Sequence, residues 1–439
     1  MQPELAPYSR RCTFPYLHGV YLAVNAIPDA YLLVDAPSCA FQKAEQVFAT
    51  HDLMSTLVDA GTRHRIVHTG LHVDNVVDAN RDRHLAIVRE LVAAPFVGTL
   101  LYTAFPMAVV IGTPYENWYA EVPGIESKLV VPVPGLSLEA DWLRGYEETL
   151  RALAERIRLP DAPRDAPRDA SKVAIVGYFM DRNEEDHLGN VRELRRLLGA
   201  LGLDVVSVWL DGSPVADLAR VAEAGTILSF PRGRKAAEVL AGRTGARLVH
   251  CELPFGTDAT GRWLRAAGAA CGREEAAEAV VREELSRCMP WLRWLVPKRL
   301  AHGRWAFAGD PALMPGLCEI AAVVGARVEL LVSWTVHAPG WDGFPAPAVE
   351  VLHGQGTAGL HDLVAARAGD IDLFIGNHQA VHDRIVPEQI AYMEFGFPSL
   401  MHHAIADEPY LGYRGFNRFV NRVADQFYDW DLEAEEADV

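Results

Sequence analysis

The chain is poor in cysteine. Six in 439 residues exclude a disulfide framework and fit a reduced, cytoplasmic setting. No apolar run reaches about 18 residues, so a membrane-spanning helix is not expected. The opening MQPELAPYSRR lacks an apolar signal core, so neither is export. Basic residues are outnumbered: 41 Lys and Arg stand against 58 Asp and Glu, a formal net charge of −17. That balance argues against nucleic-acid binding and suits solubility or the steering of a basic partner. None of the glycines that end the expected strands forms a GxGxxG or a Walker A motif, so no nucleotide site is expected on this chain. A CxxC pair and the histidine spacing of a structural zinc site are also missing.

What is present is a large stock of core-forming residues, 50% hydrophobic, in a chain long enough for two or three domains. The clearest boundary is LPDAPRDAPRDAS, residues 159–171, where three prolines and a repeated APRD make a linker. Before it, residues 136–158 read as a helix closing a first domain, 1–158. After it, strand patterns ending in glycine or a turn alternate with amphipathic helices. Strands are expected at 172–177, 204–209, 225–230, 246–250, 304–309, 327–333 and 372–376, with helices at 190–201, 234–244 and 311–325. The first domain carries the same rhythm, with strands at 31–34, 64–67 and 96–105 and a helix at 81–93. This repetition predicts three tandem Rossmann-like, doubly wound α/β domains with parallel sheets. The second spans 172–298. The third spans 299–439 and ends in helices and an acidic tail, Asp429–Val439, that reads as a solvated end. In such sheets ligands gather at the carboxyl ends of the strands.

Two residues pose the chemical question. Cys12 precedes an apolar, helical run, and Cys39 follows the strand-like Tyr31–Val34 through the turn Asp35-Ala36-Pro37-Ser38. Two thiolates at such junctions can face one metal centre, but two do not close a four-ligand site. On spacing alone they read equally as small core residues. Asp35 and Lys43 flank Cys39; the acid reads as a turn cap or as a group tuning a metal centre from outside its ligand shell. Cys271, Cys288 and Cys318 lie on apolar helical patterns and read as packing residues, as does Cys251 after its strand. Histidines that follow strands are weak candidates for substrate contact or proton donation: His68, His72, His337, His378 and His402. His64, His68 and His72 recur every four residues but straddle a strand and a glycine turn, so they do not form a zinc triad on one helical face.

Four stretches together resemble a known family. They are Cys12 with Gly19; Cys39 reached through Ala36-Pro37; Pro254-Phe255-Gly256 with Thr260 and Trp263-Leu264-Arg265; and Gly396-Phe397-Pro398, His402-His403, Pro409 and Leu411-Gly412-Tyr413-Arg414-Gly415. Their order and spacing are similar to component 1 of nitrogenase and its relatives, among them the catalytic components of dark-operative protochlorophyllide reductase, chlorophyllide reductase and the reductive cyclase of nickel tetrapyrrole biosynthesis. Two departures stand out. Family subunits with three cysteines carry the third in a Cys-Pro setting at a strand end, and here that position is Phe105, followed by Pro106. No cysteine stands around Ser229-Phe230, where nitrogenase holds its catalytic metal cofactor, so dinitrogen reduction is not expected.

The resemblance implies an iron–sulfur cluster held by Cys12 and Cys39. It would be a four-iron, four-sulfur (4Fe-4S) cluster shared across a subunit interface, in a homodimer or a heteromer with a related subunit. It also implies an ATP-dependent, iron–sulfur reductase homodimer as electron donor, with ATP hydrolysed on that partner. The chain then reads as an oxidoreductase component whose small-molecule substrate, such as a conjugated tetrapyrrole ring, the sequence does not select. A scaffold for iron–sulfur or metallocofactor assembly is the alternative, and a metal-free binding protein on tandem Rossmann-like domains is a third.

Overall fold

The short apolar strand patterns fold into three separate parallel sheets. A computed structural model of the chain describes residues 11–58, 64–72, 74, 80–160, 168–341 and 343–427. Most of the Pro-rich linker and the acidic tail therefore lie outside the described residues. The first sheet contains β1 (Ala30–Asp35), β2 (Ile66–His68), β3 (Thr99–Ala104) and β4 (Leu129–Pro132), ordered β2-β1-β3-β4. The second contains β5 (Lys172–Val176), β6 (Asp204–Val208), β7 (Thr226–Ser229) and β8 (Arg247–His250), ordered β6-β5-β7-β8. The third contains β9 (Arg304–Gly309), β10 (Arg327–Ser333), β11 (Val351–Leu352), β12 (Leu373–Gly376) and β13 (Ala391–Glu394), ordered β11-β10-β9-β12-β13. All pairings are parallel, with Asp35 opposite Ala104 in the first sheet and Gly376 opposite Glu394 in the third. Fully buried strands such as β1 and β3 show why the runs are continuously apolar: both faces of a parallel sheet are covered. The expected α/β architecture with three parallel sheets is what the chain adopts.

The chain divides into two compact units. One comprises Pro15–Glu184 and Asp204–His250 and holds the first and second sheets. The other comprises Met1–Phe14, Glu185–Leu203 and Cys251–Val439 and holds the third. Thus the segment around Cys12 and the helix Glu185–Ala200 pack with the third sheet, although in sequence they adjoin the first and second.

In the first unit, β1 and β3 pack on the helix Arg81–Ala93 through Leu33, Leu100 and Tyr102 against Leu85, Val88 and Val92. The helix Tyr16–Asn25 is buried along its length and lies against the helix Trp142–Arg156, whose N-terminus is capped by the Asp141 carboxylate accepting from the Arg144 N–H. Arg65 closes the far end of the helix Tyr16–Asn25. Only 3% exposed, its guanidinium donates to the carbonyls of Val24, Ile27 and Ala30 at 2.7, 2.9 and 3.0 Å. A cation at a helix C-terminus satisfies carbonyls that the helix itself leaves open. Burial nevertheless pushes Arg65 down to about 10. Arg65→Met keeps the bulk and removes these charge-assisted bonds, so it is expected to cost about 2 kcal/mol. A lowered midpoint in chemical denaturation at unchanged slope checks this.

In the second unit, the helix Glu185–Ala200 is tied to the C-terminal segment. Asn190 Oδ1 accepts from the N–H groups of Tyr410 and Leu411, both at 2.8 Å, and Arg196 bridges Glu193 and Glu284. The final helix, Gly412–Asp425, buries Phe416, Phe419 and Val423.

Candidate functional site

The carboxyl edge of the first sheet gathers the residues that flank Cys39. The strand order reverses between β1 and β3, and that switch point is where open α/β sheets bind ligands. Asp35 ends β1 there, 1% exposed. Its carboxylate accepts from the hydroxyls of Thr69 at 2.6 Å and Tyr115 at 2.5 Å. His84 lies 4.0 Å from it and bonds Tyr119 at 2.6 Å. Burial pushes the His84 imidazole down, opposed by Asp35. Burial and the Asp35 hydrogen bond raise the Tyr115 phenol far above its ordinary value. Asp35 is therefore the hub of a buried hydrogen-bonded network rather than a turn cap. Thr69 Oγ1, and not Asp35, takes the Ala36 N–H at 3.2 Å.

From Asp35 the chain turns through Pro37 and Ser38 and enters the helix Cys39–Gln46, with Cys39 as its exposed first residue. Ser38 makes no side-chain cap and the first turn holds no acid, while the N–H groups of Ala40 and Phe41 donate to the carbonyls of Pro37 and Ser38 at 3.1 and 3.0 Å. The helix is anchored by the Tyr21 hydroxyl donating to the Ala40 carbonyl at 2.8 Å. The Lys43 side chain lies outside what the structure describes. Phe105 stands immediately after β3, its N–H donating to the Asp35 carbonyl at 3.0 Å, and opens the short helix Pro106–Ile111. An aromatic ring thus stands where the resemblance would place a third cysteine. Ser229 and Phe230, at the end of β7, are fully buried.

His68 ends β2, and burial followed by the nearby Arg83 lowers its pKa. His72 is exposed and paired with Asp74 at 3.0 Å. His64, His68 and His72 lie before, at the end of and beyond β2, as the spacing predicts.

Cys12 lies in the other unit, with no exposed surface. Its N–H donates to the Gln355 carbonyl at 2.8 Å, just past the carboxyl end of β11. Two residues on, Phe14 stacks on Trp334 at 5.5 Å and meets Phe397 edge-on at 5.2 Å. His337 is exposed in the loop after β10. His378 and His402 converge on a residue the sequence did not single out, Glu394 at the end of β13. Its carboxylate accepts from the N–H groups of Leu400, Met401 and His402 at 3.0, 2.8 and 2.6 Å and from the Ser399 hydroxyl at 3.0 Å. His378 Nδ1 stands 3.3 Å from it, and His402 Nε2 lies 3.2 Å from Glu408. Three backbone donors to one carboxylate cannot be read from spacing.

The remaining cysteines behave as packing residues. Cys251, Cys271 and Cys288 are buried. Burial raises Cys251 to about 12 and Cys288 and Cys318 to about 11, which holds them as thiols at neutral pH. Among the described residues no three of His, Cys, Asp and Glu stand together as a metal site, and no helix is long and apolar enough to cross a membrane.

Three parallel sheets, with ligand-type residues at strand carboxyl ends, define a Rossmann-like α/β protein. The chain belongs to the nitrogenase component 1 type oxidoreductase family, whose model matches residues 16–428. It is 30% identical over 218 residues to a subunit of the light-independent protochlorophyllide reductase of a Methylobacterium species, covering 47% of this chain and 41% of that protein. It is 25% identical over 183 residues to the nitrogenase molybdenum-iron protein alpha chain of Methanococcus maripaludis, covering 40% and 36%. The chain thus spans less than half the length of these two relatives. A match to the nitrogenase vanadium-iron protein beta chain of Trichormus variabilis, at 24% identity, covers 70% of this chain and 69% of that one. A solved structure of nitrogenase Cp1 at pH 6.5 superimposes with a TM-score of 0.77 over 96% of this chain and 93% of that chain, at 16% identity, a likeness of fold. The resemblance read from the sequence therefore holds at the level of family and fold.

Proposed function

We propose that this chain is the catalytic-component subunit of a nitrogenase-like, ATP-dependent two-component reductase. It would work in the cytoplasm and take electrons from an iron–sulfur ATPase partner through a 4Fe-4S cluster at a subunit interface. Family membership over nearly the whole chain carries the reading. Its domains would be 1–158, 172–298 and 299–439 about the 159–171 linker. Cys12 and Cys39 would hold the cluster, which supplies one-electron transfer when bound.

Two thiolates would make half of the four-ligand set of a cubane. Cys39 offers an exposed thiol at a helix N-terminus free of acids, and Phe105 removes the third thiolate, so the other ligands would come from a second subunit, a copy or a relative. Beside Phe105, Met107, Val109 and Val110 are 42, 46 and 85% exposed. An apolar helix face so placed suits coverage by that second subunit. Asp35, locked by Thr69 and Tyr115, holds the turn that carries Cys39. The substrate, a small molecule such as a conjugated ring, would bind at strand carboxyl ends, with His68, His72, His337, His378 and His402 as the candidates for moving protons.

Iron and sulfide measured per protomer after anaerobic purification, with oligomeric state on the same sample, test this. In a homodimer about two irons per protomer are expected for one shared cubane; iron-free oligomers reconstituted without effect would overturn it. The absent cysteines at Phe105 and Phe230 favour a second reading, a scaffold for cluster or cofactor assembly. A tightly held metal precursor with no turnover on adding the reductase and ATP selects that scaffold.

A further inference from the structure

Behind Asp35 lies a buried phenol–imidazole pair. His84 on the helix Arg81–Ala93 and Tyr119 on the helix Tyr115–Ala120 are 1 and 2% exposed. His84 Nε2 lies 2.6 Å from the Tyr119 hydroxyl, and Tyr119 shares an apolar cluster with Leu33, Leu85, Val88 and Leu100. The other ring nitrogen, Nδ1, has no hydrogen-bond partner among the described residues. It stands 4.0 Å from the Asp35 carboxylate, which Thr69 and Tyr115 hold in place. Buried polar atoms are rarely left open, and a pair kept only for packing has no need of one.

The carboxylate favours the tautomer with its proton on Nδ1. Nε2 is then an acceptor, and the Tyr119 hydroxyl donates to it. Burial, opposed by Asp35, lowers the imidazole and keeps it neutral, and burial holds the phenol protonated. The result is a phenol already bonded to an unprotonated base. A lone phenol that loses an electron becomes a cation, which a dry core does not accommodate. Here the hydroxyl proton passes to Nε2 as the electron leaves. Tyr119 stays neutral, and the positive charge rests on His84 beside Asp35, where Coulomb attraction stabilises it.

Neighbouring rings give the electron a way out. Tyr119 lies 6.2 Å from Tyr115, Tyr115 lies 6.2 Å from Trp118, and His84 lies 5.8 Å from Trp118, centroid to centroid. These are separations of rings in contact. Trp118 is partly exposed. An electron vacancy on its indole is a cation; moved to Tyr119 it becomes a neutral radical and an imidazolium facing a carboxylate.

We propose that Tyr119 and His84 form a redox-active tyrosine pair, reached from the surface through Trp118. A one-electron oxidant derived from dioxygen takes an electron from Trp118. Tyr119 replaces that electron by way of the intervening rings while its hydroxyl proton moves to His84 Nε2. The products are the reduced oxidant, a restored Trp118, a neutral Tyr119 phenoxyl radical and the His84 imidazolium. A thiol or ascorbate returns the electron along the same rings, and the proton goes back to Tyr119. The pair needs no metal on this chain, so it and the cluster reading can fail separately.

Flash-quench photo-oxidation of the full-length protein by ruthenium(III) tris-bipyridine tests it, after treatment with ferricyanide so that no metal centre competes as electron donor. Electron paramagnetic resonance is expected to show a tyrosyl radical that carries an exchangeable proton coupling and forms more slowly in deuterium oxide. Tyr119→Phe is expected to abolish the signal. Tyr102→Phe removes a ring that also touches Tyr119, at 4.8 Å, and is expected to keep it. His84→Gln keeps a hydrogen-bond partner for the hydroxyl but is no base, and is expected to slow radical formation by about a hundredfold. The deuterium effect needs no variant and carries the test should His84→Gln impair folding. Three results overturn the proposal: no tyrosyl radical in the unmodified protein, a radical that survives Tyr119→Phe and so sits on another ring such as Tyr115, or a formation rate indifferent to deuterium oxide or to His84→Gln.

Discussion

Cys39→Ala protein, purified without oxygen, is expected to lose its iron and its visible cluster absorption while keeping its stability. The thiol is exposed at the first position of its helix, so removing it touches no core contact and the change in folding free energy should stay within about 0.5 kcal/mol. Cys12→Ala is expected to lose iron to the same degree but also to be less stable by about 1 kcal/mol, because its side chain is fully buried and leaves a small void. The contrast separates loss of a ligand from loss of packing. Cys251→Ala, at another buried thiol, is the control: it should lose stability and keep iron. The measurements are iron and sulfide content, electron paramagnetic resonance of the reduced protein and a denaturation curve on each variant. Full iron with an unchanged cluster signal in both Cys12→Ala and Cys39→Ala would remove these residues from the metal centre.

Gly19→Ala is expected to cost about 3 kcal/mol or more and to yield little folded protein. A Cβ at Gly19 would lie 1.7 Å from the Trp142 carbonyl oxygen, and one at Gly145 would lie 2.0 Å from that of Tyr16. Both obstacles are backbone, and neither can turn aside as a side chain can. The two helices approach here because each presents a glycine to the other, so a single methyl on either forces the axes apart. Gly199→Ala is the opposite case. It sits in the helix Glu185–Ala200 with nothing within 4 Å of the added Cβ, and it should stabilise by up to about 1 kcal/mol through helix propensity alone. Thermal melts of Gly19→Ala, Gly145→Ala and Gly199→Ala check the ordering. In the sequence Gly19 stood out only as part of a resemblance. It is the fourth residue of the helix Tyr16–Asn25, and close packing is what requires it.

Most of the framework was legible because parallel strands buried on both faces write themselves as continuous apolar runs. The strands at 172–176, 204–208, 304–309 and 327–333 fall within a residue of their expected ends. Three strands were missed. β4 is four residues long with a proline at its end, β11 has two residues, and β13 reads Ala-Tyr-Met-Glu with an acid inside the pattern. Each sits at an edge of its sheet or beside one, where half the burial signal disappears. The helices Thr257–Cys271 and Glu274–Cys288 were seen without their bounds, as the apolar helical patterns around Cys271 and Cys288. At the site, the cysteines were visible because thiols are scarce here. Tyr115, Thr69 and His84 were not, since they meet Asp35 from three separate elements and nothing local marks them. Glu394 was hidden for the same reason: its partners are backbone amides, which no residue type encodes.

The chain's opening segment has a consequence for the order of events on the ribosome. Cys12 emerges early, but its surroundings are Gln355, and around Phe14 they are Trp334 and Phe397. None of these exists until most of the polypeptide has been made. The frame of Cys39 needs only the strands up to Leu129–Pro132. Domains fold as they are synthesised, and long-range pairings wait for their partners. The two thiols therefore reach their final settings at different times, the second in sequence first. Cys12 gains its final neighbours only once the third sheet has formed.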